Sequence, residues 1–146
     1  MTSWREGVSA STQGDVDGVI DAAVRIAQRH LLQASEFAPF ALVVDLEGRM
    51  LAVDLDTSAL GKHPESDELA VATAAQLRRL SESARCTALA LNARLSQPRT
   101  DAIEVRVEHR DGPALLVFVP YKRPKFGGSA EYGDLMAYPG ERDVWR

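Results

Sequence analysis

One cysteine in 146 residues, Cys86, excludes an intramolecular disulfide and fits a reducing compartment. Histidine is nearly as scarce: His30, His63 and His109 stand far apart without the paired spacing of a zinc site, so no metal or other cofactor is expected. No run approaches the roughly 18 apolar residues of a membrane span. The opening stretch "MTSWREGVSASTQGD" has no apolar segment that would make it a secretory signal. The expectation is a cytoplasmic protein without membrane contact. Positive charge is not in excess either. Seventeen Lys and Arg against 21 Asp and Glu give a net charge of −4, which favours solubility and lacks the basic footprint of a nucleic-acid binder. Phosphate-cradling loops are also missing. "DTSALGK", Asp56 to Lys62, has Asp where a P-loop needs its first glycine and no Ser or Thr after the lysine. "GGSAEYG" lacks the strand-to-helix setting of a dinucleotide loop.

What is present reads as one domain with a 45% hydrophobic content. Residues 1–13 are small and polar and are expected to be a flexible arm, with Trp4 its only large side chain. From Gly14, Val16, Val19, Ile20, Ala23, Ala27, Leu31 and Ala34 recur at helical spacing, with Asp15 or Asp17 placed to cap. Pro39 forces an exit. "FALVVDL" and "RMLAVDL" flank Glu47-Gly48 as a hairpin. A two-residue loop there would pair Val44 with Leu51 and put Leu42, Val44, Leu51, Val53 and Leu55 on one face. A second helical stripe runs through Leu69, Thr73, Leu77, Leu80 and Ala84. Leu89, Leu91, Ala93 and Leu95 alternate as in a half-buried strand. "IEVRVEHRDGPALLVFVPY", Ile103 to Tyr121, supplies two more strands around Asp111-Gly112.

The element order αββαβββ predicts an α+β fold: a five-stranded antiparallel sheet in the order 2-1-5-4-3 with both helices packed on one face. The domain is expected over residues 14–121, followed by a Pro/Gly-rich aromatic tail over 122–146. This order, with "FALVVDLEGRMLA" as the first hairpin, resembles the roadblock/profilin-like group of small bacterial domains. The resemblance spans residues 14–121 in architecture. It implies homodimerisation and binding of a protein partner, sometimes a regulatory small GTPase, with no chemistry of the domain's own. The chain departs from that pattern after Tyr121, where Pro124, Gly127 and Gly128 oppose the closing helix a roadblock domain usually has.

The densest chemical stretch is Glu108-His109-Arg110-Asp111. Strand alternation sends Glu108 and His109 to opposite faces, so Glu108 cannot orient His109 as a base. The group reads as the rim of a turn, with a four-residue loop from Arg110 to Pro113. No catalytic residue is assigned. Cys86 reads as a small buried hydrophobe. Glu104, Arg106 and Glu108 form an alternating-sign row whose ion pairs contribute roughly 0–1 kcal/mol each. A four-residue loop would set this row beside Val119, Val117 and Leu115 on a face that needs cover.

Tyr121, Phe126, Tyr132, Tyr138 and Trp145 are five of the chain's nine aromatics, so the tail is expected to dock on that face, in its own subunit or a neighbour's. Leu115, Val117, Val119, Tyr121, Phe126 and Tyr132 are the interface candidates. "KRPK", Lys122 to Lys125, reads as a solvated linker, because residues 121–146 balance five basic against four acidic side chains. The preferred functional expectation is a non-catalytic interaction module that homodimerises through a sheet edge or an apolar sheet face. The alternative is a small-molecule or enzymatic pocket beside the 54–65 loop, where Asp54, Asp56, Lys62 and His63 would gather.

Overall fold

The first helix starts earlier than its apolar stripe suggests. In the computed structural model, which describes residues 3–54, 66–96, 99–124 and 128–146, Ser9 is the N-cap, not Asp15 or Asp17. Its hydroxyl accepts the Thr12 N–H at 3.1 Å, satisfying a donor that the first turn leaves free. Helix α1 runs Ala10–Leu31 and buries Val16, Val19, Ile20, Ala23, Ala27 and Leu31. Part of the expected arm is therefore helical. Residues 3–9 turn back on α1: Arg5 forms a two-pronged ion pair with Asp17 at 2.8 and 2.9 Å, and Trp4 packs against the core.

The strands are β1 (Phe40–Asp45), β2 (Met50–Ala52), β3 (Ala84–Ser96), β4 (Arg99–His109), β5 (Ala114–Lys122), β6 (Glu131–Tyr132) and β7 (Met136–Pro139), with helix α2 (Ser66–Arg79) between β2 and β3. The α+β class and the antiparallel pairing are as expected. The strand order is not: the sheet runs β2-β1-β3-β4-β5, and β6 and β7 both lie on the outer edge of β5. The expected 2-1-5-4-3 arrangement made β5 the doubly covered central strand. That role belongs to β3, whose Cys86, Ala88 and Ala90 face α1 while Thr87, Leu89 and Leu91 face the other way, all buried. Small residues let a helix approach the sheet closely, so alanines that carry little hydrophobic weight in a sequence reading mark where α1 rests.

The helices also occupy opposite faces. Leu42 and Val44 pack with α1, whereas Ala41 and Val43 pack with Ala70 and Leu77 of α2. The result is three layers, with α1 on one side and α2 with the C-terminal segment on the other. Among the described residues no helix is long and apolar enough to cross a membrane.

Both hairpin loops contain three residues. Between β1 and β2 the loop is Leu46-Glu47-Gly48: Gly48 takes φ +90°, its N–H donates to Asp45 O, and Val43 pairs with Leu51. Between β4 and β5 it is Arg110-Asp111-Gly112. There Gly112 takes φ +77°, its N–H donates to His109 O, and His109 N–H donates to Pro113 O. A turn followed by a left-handed glycine is the common three-residue solution. Each loop differs by one residue from the expected length, and a one-residue slip exchanges faces. Leu51 therefore lies with Val43 on the α2 side. Likewise Glu104, Arg106 and Glu108 pair with Phe118, Leu116 and Ala114 in place of Val119, Val117 and Leu115.

Candidate functional site

The Glu108-His109-Arg110-Asp111 stretch ends β4, and its members serve different elements. His109 turns towards α1 and is buried. Its Nε2 lies 2.9 Å from Asp15 Oδ2, and its Nδ1 accepts the Asp111 backbone N–H at 3.1 Å. An accepting Nδ1 carries no proton, so Nε2–H donates to Asp15 and the ring is neutral in this geometry. Asp15 also accepts from Arg85 at 2.8 Å. Burial pulls the Asp15 carboxyl upward, but hydrogen bonds from Arg85 and His109, with the Arg85 charge, outweigh it and hold the group below its ordinary value. Arg85 reaches this spot because it is the extra residue of a bulge: Val44 pairs with Cys86 and Asp45 with Ala84. Arg110 donates to the carbonyls of Ser81 and Glu82 and ties the turn to the α2–β3 connection. Asp111 is exposed.

Cys86 lies across the strands from His109 on the same face and is fully buried. Burial, with the Asp15 charge next, pushes its thiol up to about 12. Cysteine, histidine and aspartate thus gather as they would around a nucleophile. Yet both ring nitrogens of His109 are committed elsewhere, and neither is hydrogen-bonded to the thiol. A neutral, enclosed thiol without a base is a packing residue. Sequence reasoning read Asp15 as a cap and missed its role. The missing signal was the bulge, which brings Arg85 to the same carboxylate.

Glu108 points to the α2 side and is 4% exposed. Its carboxylate accepts three consecutive backbone N–H groups: Asp143 at 2.6 Å and Val144 at 3.0 Å on one oxygen, Trp145 at 2.5 Å on the other. Arg142 donates to the carbonyls of His109, Arg110 and Trp145. Arg78 on α2 holds the Asp143 carbonyl and carboxylate, and Trp145 Nε1 donates to Ser81 O. Residues 139–146 therefore form a strap between α2 and the sheet. Gly140 is the tight point, since a Cβ there would lie 2.8 Å from the Leu115 carbonyl carbon. The strap seats on its own chain; the tail's aromatics point to docking in its own subunit or a neighbour's and do not name Glu108. Main-chain donors leave no trace in a side-chain pattern.

A cavity of about 550 Å³ opens between α2, the sheet and the strap, lined by Ala74, Leu77, Thr87, Leu89, Arg106 and the strap backbone among others. A second hollow, of about 580 Å³, follows the β1–β2 hairpin and includes Asp54. Of the pocket expected there, Asp54 is exposed and its carbonyl accepts from Gln76 at 2.7 Å. Asp56, Lys62 and His63 lie outside the described residues, as does Phe126. Among the interface candidates, Leu115, Val117, Val119 and Tyr121 are buried on the α1 side, at most 5% exposed. Tyr132 is half-buried against the Tyr121 ring. The residues that the register shift brings to the α2 side of β5 are Ala114, Leu116, Phe118 and Pro120. Among the described residues no three His, Cys, Asp or Glu side chains gather as a metal site would need.

The outer edge of β2 is the other feature of note. Asp45 N–H donates to Arg49 O, and Val53 N–H to Ala41 O. By antiparallel alternation, Met50 and Ala52 then turn their N–H and C=O groups away from β1. All three β2 residues are exposed, Met50 by 40% and Leu51 by 48%, with Leu46 beside them at 52%. Comparison with protein-family models, curated proteins and solved structures gives no match.

Proposed function

We propose that this chain is a non-catalytic interaction module that pairs with a second copy of itself through the outer edge of β2. The observation that carries this reading is the edge itself. It offers main-chain groups at Met50 and Ala52 that have no partner among the described residues, and exposed Leu46, Met50 and Leu51, a combination that invites strand addition. Two copies related by a two-fold axis would join their sheets antiparallel and bury those side chains together. The non-catalytic part is supported by the commitment of His109, Glu108 and Asp15 to structural hydrogen bonds and by the enclosure of Cys86. The roadblock-like first hairpin leads the same way, since that resemblance implies dimerisation and a protein partner. A cytoplasmic setting agrees with a single free thiol.

The test is solution mass by sedimentation, on the native chain and on Ala52→Pro. Proline removes an outward N–H while leaving the Leu51 pairing with β1 in place. The native chain is expected at dimer mass and the variant at monomer mass with an unchanged circular dichroism spectrum. A native chain that stays monomeric at its highest soluble concentration, or a variant that remains dimeric, refutes the edge.

A further inference from the structure

The cavity of about 550 Å³ falls within the range of pockets that hold small ligands, roughly 300–1,000 Å³. It exists because α2 covers β1 and β3 while the strap crosses β4 and β5. Ala74 and Thr87, between them, are too small to close the gap. Its walls are divided about evenly between polar and apolar surface, with Leu77, Leu89, Leu116 and Pro139 on the apolar side. Arg106 rises from this apolar row, flanked across the strands by Leu89 and Leu116.

The charged lining is already spent in all but a few places. Glu108 holds three N–H groups, Asp143 is held by Arg78 and Arg146, and Arg142 is engaged by three carbonyls. Glu141 is exposed at the rim. Arg106 differs: its Nε donates to Glu104 at 2.6 Å, and among the described residues its two terminal nitrogens have no acceptor. Thr87, buried and opposite Glu108, lines the same cavity, and its hydroxyl has no protein partner among the described residues.

We infer that this cavity binds a small amphipathic carboxylate, with the carboxylate on the terminal nitrogens of Arg106 and the apolar chain against Leu77, Leu89 and Leu116. A guanidinium fork matches a carboxylate in two-point geometry. Glu104, Glu108 and Glu141 nearby oppose a second negative charge, which selects a monoanion over phosphate. Arg106 itself rejects an amine. The site is separate from the β2 edge and does not depend on dimerisation.

Octanoate is the probe, titrated calorimetrically into the full chain, with octanol, octylamine and inorganic phosphate as comparisons. Octanoate is expected to bind saturably, to raise the melting temperature, and to shift the amide resonances of Thr87, Leu89 and Arg106. In Arg106→Gln, a substitution at a half-exposed side chain, the affinity should fall about ten- to a hundredfold, the loss of a charged hydrogen bond. A circular dichroism spectrum checks that this variant folds, and the resonance shifts in the native chain test the site without any variant. The proposal is overturned if octanoate does not bind saturably, or if octanol, octylamine or phosphate binds as tightly. It is also overturned if Arg106→Gln keeps full affinity or if the shifts lie elsewhere.

Discussion

Replacing Glu108 by Gln should release the strap while leaving the rest of the fold standing. The carboxylate receives three backbone N–H groups, two on one oxygen and one on the other. Gln keeps a single acceptor oxygen. With that oxygen on Asp143 and Val144, the amide nitrogen faces Trp145 N–H, donor against donor. An unpaired buried N–H costs about 1–3 kcal/mol, and losing the charge on the other two bonds costs roughly 1 kcal/mol each, for a total of about 3–5 kcal/mol. The loss is bounded by the docking energy of the strap, because the segment can leave its seat without opening the α1 core. Amide exchange at Asp143, Val144 and Trp145 should therefore accelerate by about a hundredfold or more. In a Trp4→Phe background, Trp145 emission should shift to the red as its indole N–H leaves Ser81. Far-ultraviolet circular dichroism should be unchanged. If these three amides exchange at the native rate in Glu108→Gln, the seat does not hold the strap and the reasoning fails.

Gly140→Ala should act on the same segment from the other side. A methyl 2.8 Å from the Leu115 backbone must displace the β7 approach, at about 1–3 kcal/mol, measurable as a lower denaturant midpoint and faster exchange of the Gly133–Trp145 amides. Asp15 and Asp143 both titrate below their ordinary 3.8: burial at Asp15 is outweighed by hydrogen bonds from Arg85 and His109 and by the Arg85 charge, and Arg78 lowers Asp143. A depressed carboxyl contributes stability in full above the unfolded value and loses it as pH falls through the folded value. Stability should thus be level near neutrality and drop below about pH 4, and Asp15→Asn should flatten that acid limb. A denaturation series over pH that shows the same limb in both proteins would count against the Asp15 pairing. Cys86, buried with its thiol pushed up to about 12, should ignore a thiol reagent until the protein is unfolded. Stoichiometric labelling of the native chain within minutes would contradict its enclosure.

Much of the architecture is legible in the residues, and the failures share a cause. Val16 to Leu31 announces α1, and Gly48 and Gly112 mark both hairpins. What the sequence does not state is the number of residues in each turn. Glu47-Gly48 and Arg110–Pro113 were natural guesses for loops that turned out to be Leu46–Gly48 and Arg110–Gly112. Because side chains alternate strictly, each miscount moved Leu51 and the Leu115–Tyr121 row to the wrong face. The strand order failed for a different reason. "ALLVFV" is apolar on both faces, as a central strand would be, yet Leu116 and Phe118 are only part-buried, while Ala88 and Ala90 carry little hydrophobic weight and lie at the centre. The division of Glu108 and His109 between two faces followed from alternation and holds. Their partners did not follow, because Asp15 is 94 positions from His109 and the groups that bind Glu108 belong to the main chain.

The Glu108 seat has a consequence for how substitutions are tolerated. It grips backbone N–H groups, which nearly every amino acid supplies, so it is indifferent to which side chain occupies position 144 beneath it. Only proline lacks the group being gripped. A saturation library should then show an uneven profile: rejection of proline across 143–145, intolerance at Glu108, and acceptance of other apolar residues at Val144, which packs against the α2-side core. At this seat one carboxylate reads three successive peptide units, whatever side chains they carry.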